Sequence, residues 1–213
     1  GTFDGGGHYV YNIYCDRHCT TNFGDGQSVG LIGRLGCHDS DPADMRANSP
    51  AVRDVAVTGY IHANRSLGGI VGKIGKTNDG GVISGCANYA TIIGTDAKGT
   101  GGIVGAGWNY STIKDCFNIG TVTGGWPAGG IVGSKSGLVD NVFSLINLSI
   151  EDGSSMDSVG GAVGYNRGTV RDSFFVGDIY TFGFNADKAQ TASTIYRVGG
   201  GIVGSKASAG QVK

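Results

Sequence analysis

Proline is scarce, at three in 213 residues, and no apolar run extends beyond a few residues before glycine interrupts it. Glycine without proline excludes the collagen triple helix and argues against a proline-rich linker. The missing long apolar run excludes a transmembrane helix, and the first residues show no signal peptide, so we expect any export signal to lie outside this sequence. Charge of one sign is missing too. Sixteen Lys and Arg face seventeen Asp and Glu, for a net charge of -1 with no run of either sign. Such a surface has no field to draw nucleic acid or an anionic membrane, and we expect neither as a partner. Five cysteines, Cys15, Cys19, Cys37, Cys86 and Cys116, are too few for a disulfide scaffold and do not fix the compartment.

What the chain does have is glycine, 42 residues or about a fifth of the total, roughly three times average usage. With 39% hydrophobic residues and low charge it is outside the disordered class. The glycines recur in a phrase: GLIG at 30–33, GGIVG at 68–72, 101–105, 129–133 and 200–204, and GGAVG at 160–164. From Gly33 to Gly72, Gly105, Gly133, Gly164 and Gly204 the steps are 39, 33, 28, 31 and 40 residues, a constant unit with variable loops.

A second phrase aligns without gaps in five places, beginning at Val52 (VRDVAVTGYI), Ile83 (ISGCANYATI), Ile113 (IKDCFNIGTV), Val139 (VDNVFSLINL) and Val170 (VRDSFFVGDI). VYNIYC from Val10 looks like the opening of the same phrase, and Val212 like the start of another. We therefore expect a section of a longer repeat array. Each unit reads as short strands rich in Ile, Val, Phe, Thr and Tyr, punctuated by Gly, Asn, Asp and Ser, with no sustained helical period. A unit of about thirty residues cannot bury its own apolar face, so neighbouring units must stack.

The predicted fold is all-β: a parallel β-helix, right-handed by the usual crossover rule, of about six irregular coils in a single domain over 1–213. At about 4.8 Å per coil, six coils make a rod of roughly 30 Å. Equivalent residues then form columns. Val55, Cys86, Cys116, Val142 and Ser173, and Ile61, Ile92, Val122, Leu148 and Ile179, are expected in the core. The columns Ala56, Ala87, Phe117, Phe143, Phe174 and Asn88, Asn118, Ser144 call for a bend, with the asparagines hydrogen-bonded along the stack. Glycine in the first phrase is expected at a corner that needs positive φ or close backbone approach.

GGIVG followed by I-x-x-C-x-N-x-G-x-V, best seen at 101–124, resembles the GLUG repeat of bacterial surface proteins. The opening GTFDGGGHYVYNI looks like a first coil of such arrays. The resemblance covers most of 1–204, with 37–50 and 181–198 departing from it. It implies a β-helix in large secreted or cell-wall proteins, among them adhesins and the non-catalytic part of immunoglobulin A1-cleaving zinc peptidases. It carries no catalytic residue onto this chain.

Candidate chemistry is sparse. HExxH, GxSxG and the P-loop are all missing. Carboxylates on neighbouring coils, as a glycan-active enzyme needs, are best represented by Asp115, Asp140 and Asp172 with Lys114 and Arg171; short polar residues there also serve turns. Asp39, Asp41 and Asp44 offer oxygen ligands for calcium or simply a solvated loop. Cys15, His18, Cys19, Cys37 and His38 leave open a zinc site or a disulfide. Cys86 and Cys116, stacked in parallel, favour buried free thiols. Trp108, Tyr110 and Trp126 border adjacent coils and are the candidate ligand-binding aromatics, for a sugar ring, set against a role capping the core. Sequons at Asn64, Asn109 and Asn147 are common by chance.

The function these observations favour is a non-catalytic structural and interaction module for cell adhesion, monomeric and without cofactor, on an extracellular or cell-surface protein. Its loops 16–29, 37–50 and 181–198 would meet a host glycan or extracellular protein. The alternative is the accessory β-helix of a larger secreted peptidase or glycan-active enzyme. Far-UV circular dichroism should show β-structure with a negligible helical component; a mainly helical spectrum overturns the architecture.

Overall fold

The structure is a computed structural model that describes residues 1–17, 28–36, 50–75, 80–94, 99–124, 127–150, 158–181, 199–206 and 210–213. Every strand pairing among them is parallel, and each strand pairs with its counterpart one repeat away. Two sheets result. A large one has 17 strands; a small one has six short strands, Ser28–Val29, Ser66–Gly68, Thr100–Gly101, Ala128–Gly129, Val159–Gly160 and Gly199–Gly200, one per coil. The fold is a parallel β-helix.

Strand register follows the first phrase. Ile32, Val71, Val104, Val132, Val163 and Val203 form one column, and from Val71 to Val163 it is fully buried. In every copy after the first, which has Val29-Gly30, a pair of glycines leads the chain out of the small sheet and round to this column. None of Gly68, Gly69, Gly101, Gly102, Gly129 or Gly130 has a positive φ, so close approach is what demands glycine. A Cβ on Gly102 would run into the Asn118 side-chain amide and the Gly130 carbonyl, and one on Gly130 into Gly161 O and Ser144 Oγ.

Positive φ occurs at a different corner. Asp54, Gly85, Asp115, Asn141 and Asp172, with φ between 48° and 63°, occupy one position in five successive copies of the second phrase. Glycine, Asn and Asp tolerate this left-handed region best. Each sits immediately before the inward column Val55, Cys86, Cys116, Val142, Ser173, of which the first four are buried. From there the alternation runs undisturbed through Phe117 outward and Asn118 inward to Val122 inward. The expected break in alternation thus lies at the left-handed residue, while the chain bends just after the asparagines, at Ala90 and Gly120.

The asparagines do bond along the stack. Asn88 Nδ2 donates to Asn118 Oδ1 at 2.8 Å, Asn118 Nδ2 donates to Gly130 O at 2.7 Å, and Asn118 Oδ1 also accepts the Gly120 N–H at 2.9 Å. Both amides are fully buried. On either side of this column lie two apolar clusters, one around Ile70, Ile103, Ile131 and Cys116, the other around Ile61, Ile92, Val122 and Leu148. Cys86 and Cys116 are buried thiols with no disulfide between them, as parallel stacking favours.

The first strand, Thr2–Arg17, corrects one alignment. Val212 does take the second-phrase position, opposite Val170, but Val10 lies opposite Val57, and Phe3 is the residue opposite Val52. Two register shifts, the first spanning left-handed Gly6 and Gly7, displace the phrase. Asn12, left-handed in its own right, reproduces the local VxN turn without the register.

Gly102→Val should abolish the cooperative thermal transition seen by near-UV circular dichroism. Asn118→Leu, close in volume, should still fold but lose about 1–3 kcal/mol for each buried partner left unsatisfied, read from urea unfolding midpoints. An unchanged midpoint would show the amide to be dispensable.

Candidate functional site

Inward columns build the core, so outward columns decide what the rod presents. The outward column beside the asparagines is Tyr9, Ala56, Ala87, Phe117, Phe143 and Phe174. Phe117 and Phe143 stack with ring centroids 5.0 Å apart, and Phe143 and Phe174 at 5.1 Å, nearly parallel. Where the two alanines leave the column short, the Tyr89 ring fills in, 5.8 Å from Phe117 and 5.6 Å from Tyr9, whose ring stacks on Tyr11. Each such pair adds about 0.5–1.5 kcal/mol beyond area burial. Six rings run along the rod in unbroken contact.

A second outward column, Tyr89, Ile119, Leu145 and Val176, flanks the first. Ile119, Leu145 and Val176 are 43%, 44% and 60% exposed, and Phe174 is 50% exposed. The chain bends directly after this column, so the next outward residues face it across an open groove of about 520 Å³. Ile119 and Leu145 wall it on one side, Ser149 and Tyr180 on the other, with Gly120, Thr121, Ile146 and Asn147 between them. The Tyr180 hydroxyl donates to Asp178 at 3.1 Å, and this carboxylate raises the Tyr180 hydroxyl above its ordinary pKa. Asn147 Oδ1 accepts the Asp178 N–H at 3.0 Å. No charged side chain lines the groove among the described residues.

Tyr110 is exposed and left-handed, placed within the strand Val104–Asn118 at the register shift between Gly107 and Ser111. The backbone of Trp108 shares that strand; its side chain lies outside the described residues, as do Trp126 and the whole of Asp39, Asp41 and Asp44. Of the cysteine and histidine group only Cys15 is described, in the first strand. Among the described residues no cluster of three His, Cys, Asp or Glu is placed to hold a metal.

The three carboxylates separate. Asp115 and Asp172 are the left-handed corner residues, while Asp140 belongs to an adjacent column of charge: Asp4 and Arg53 pair at 2.8 Å, and Asp140 and Arg171 at 2.6 Å, beside Lys114. The hydrogen bond from Arg171 holds the Asp140 carboxyl below its ordinary value, and those from the Gly6 N–H and Arg53 do the same for Asp4. These are turn and ion-pair positions. A paired, acid-shifted carboxylate is poorly suited to general acid work.

Stacked Val, Cys, Phe and Asn columns, joined to the glycine corner, make up one repeat, and over residues 96–123 it matches the GLUG motif. The chain carries the GLUG motif. It is also 26% identical over 166 residues to halomucin of Haloquadratum walsbyi. That alignment takes in 77% of the chain, which spans 2% of the length of this relative. The relative is archaeal, so the likeness is not confined to bacteria. No solved structure matches.

The column of Phe117, Phe143 and Phe174 was read in the sequence as calling for a bend; the flanking column of Ile119, Leu145 and Val176 and the groove went unread. The signal was present: Phe directly after Cys116, Val142 and Ser173 in three successive copies, with Ile, Leu or Val two residues later. Both carboxyls of the charge column titrate below their ordinary value in the folded chain. Their stability is therefore present above about pH 4 and lost as pH falls through the lowered values. Denaturation midpoints should be flat from neutral pH down to about pH 5 and then decline. In Arg171→Ala the Asp140 carboxyl, followed by NMR, should titrate closer to the ordinary value; an unmoved titration would remove the ion pair as the cause.

Proposed function

We propose that this chain is a non-catalytic interaction module of a cell-surface or secreted protein, working in adhesion. Its likeness to halomucin, a large surface protein, supports the location. The mechanical logic rests on the ladder. Hydrogen bonds between coils run along the rod, so at each coil interface an axial load is shared among the strands of that coil. Columns repeat at about 4.8 Å, so a ligand-contacting feature on one coil is extended by the next without further design.

The observation that carries the reading is an outward apolar stripe on a rigid scaffold, in which Phe174, Ile119, Leu145 and Val176 are exposed and Phe117 and Phe143 are half-buried. A contiguous apolar face rimmed by polar groups marks an interaction site. Rigid display also limits the ordering cost of binding. The ligand belongs to the extracellular milieu, as a glycan or a protein.

Beads coated with the purified chain should be retained under flow on surfaces bearing immobilised glycans or extracellular matrix proteins, well above beads carrying an unrelated β-rich protein. The variant Phe117→Ser, Phe143→Ser, Phe174→Ser should lose that retention while keeping its far-UV spectrum. Equal detachment of the coated and control beads from every surface overturns the adhesive reading.

A further inference from the structure

The groove beside the stripe has two unlike walls, and this asymmetry selects a ligand. We propose that it binds a neutral glycan chain lying extended along the rod, a specific assignment that rests on the adhesive reading above. One wall is aliphatic, Ile119 and Leu145, and Val176 follows in the same column on the next coil. The other wall and the floor offer hydroxyls and an amide from Thr121, Asn147, Ser149 and Tyr180. A pyranose ring has the matching asymmetry: one face of C–H groups and a rim of hydroxyls.

Charge narrows the class further. With no Lys, Arg, Asp or Glu among the described lining residues, a uronate or sulfated chain would be desolvated without compensation. The Asp178 carboxylate accepts a hydrogen bond from the Tyr180 hydroxyl, which orients that ring at the groove edge. Asn147 is oriented in the same manner: its Oδ1 holds the Asp178 N–H, and among the described residues its Nδ2 has no partner. A sugar hydroxyl is an acceptor of suitable size for it.

Geometry favours a polymer over a single sugar. The groove is open and follows the stacking direction, since Thr121 and Asn147, and likewise Ser149 and Tyr180, come from successive coils. The volume of about 520 Å³ is within the range of small-ligand sites. A second copy of the chain seated on the same face would cover the aliphatic wall but leave Thr121, Asn147 and Ser149 desolvated, which costs free energy for each unpaired group.

The test titrates the folded chain with neutral hexasaccharides, cellohexaose, mannohexaose and chitohexaose, and with a hexagalacturonate, by calorimetry. At least one neutral hexamer should bind while the hexagalacturonate does not. Tyr180→Ala and Leu145→Asp, each checked for a native melting profile, should weaken binding by about tenfold or more, or roughly 1.4 kcal/mol. Lys114→Ala, in the charge column, should bind as the parent does. The groove assignment is overturned if no neutral hexamer binds, if hexagalacturonate binds equally, if both groove variants retain full affinity, or if light scattering shows a dimer that Leu145→Asp dissolves. Should coated beads still adhere while no neutral hexamer binds, the adhesive reading stands and the groove assignment alone fails.

Discussion

The contact between a buried asparagine and a glycine corner is the constraint from which the rest of this structure follows. Asn118 reaches across the coil to the place where Gly102 leaves no room for a Cβ, and its amide bonds to the Gly130 carbonyl of the next coil. Asn88 meets Gly69 in the same way. The two phrases of the repeat are thus the two sides of one contact. A larger residue at the glycine would displace the amide, and an apolar residue at the asparagine would strand the backbone groups it satisfies. Where the asparagine gives way to Ser144 and then Phe175, the facing glycines, Gly130 and Gly161, persist, because the backbone approach remains just as close.

That lock lies between two apolar clusters, and the chain bends just after it. The bend matters for function as well as for packing. It turns the outward residues before it, Ile119 and Leu145, toward the outward residues after it, Ser149 and Tyr180. A flat sheet with the same sequence would carry a stripe and no groove. The left-handed corner at Asp54, Gly85, Asp115, Asn141 and Asp172 does the complementary work at the other end of the phrase, placing the charge column outside and the Val and Cys column inside.

Much of this was legible. The gapless alignment of five ten-residue phrases predicted the columns at Cys86, Cys116 and Val142 and at Ile92, Val122 and Leu148, because in a parallel stack equivalent residues must pair in register. The reading failed at Val10, where local similarity matched a turn but two register shifts, Gly6 and Gly7 in the first, moved the strand along its neighbour. It also weighed Asp115, Asp140 and Asp172 as one group, whereas a single residue of offset separates a corner position from an ion pair. Alternation breaks at the left-handed residue, so both positions face outward with different roles.

The sequence by itself determined the repeat, the parallel stack and the identity of the inward columns, since burial in a solenoid is periodic and each copy repeats the same inward pattern. Only the tertiary structure decided which outward residues meet. Ile119, Leu145 and Tyr180 belong to different coils and to opposite sides of a bend, and no spacing along the chain records the angle of that bend. Across the interior, Asn88, Asn118, Ser144 and Phe175 each close against a glycine corner, Gly69, Gly102, Gly130 and Gly161, and these contacts join residues far apart in sequence.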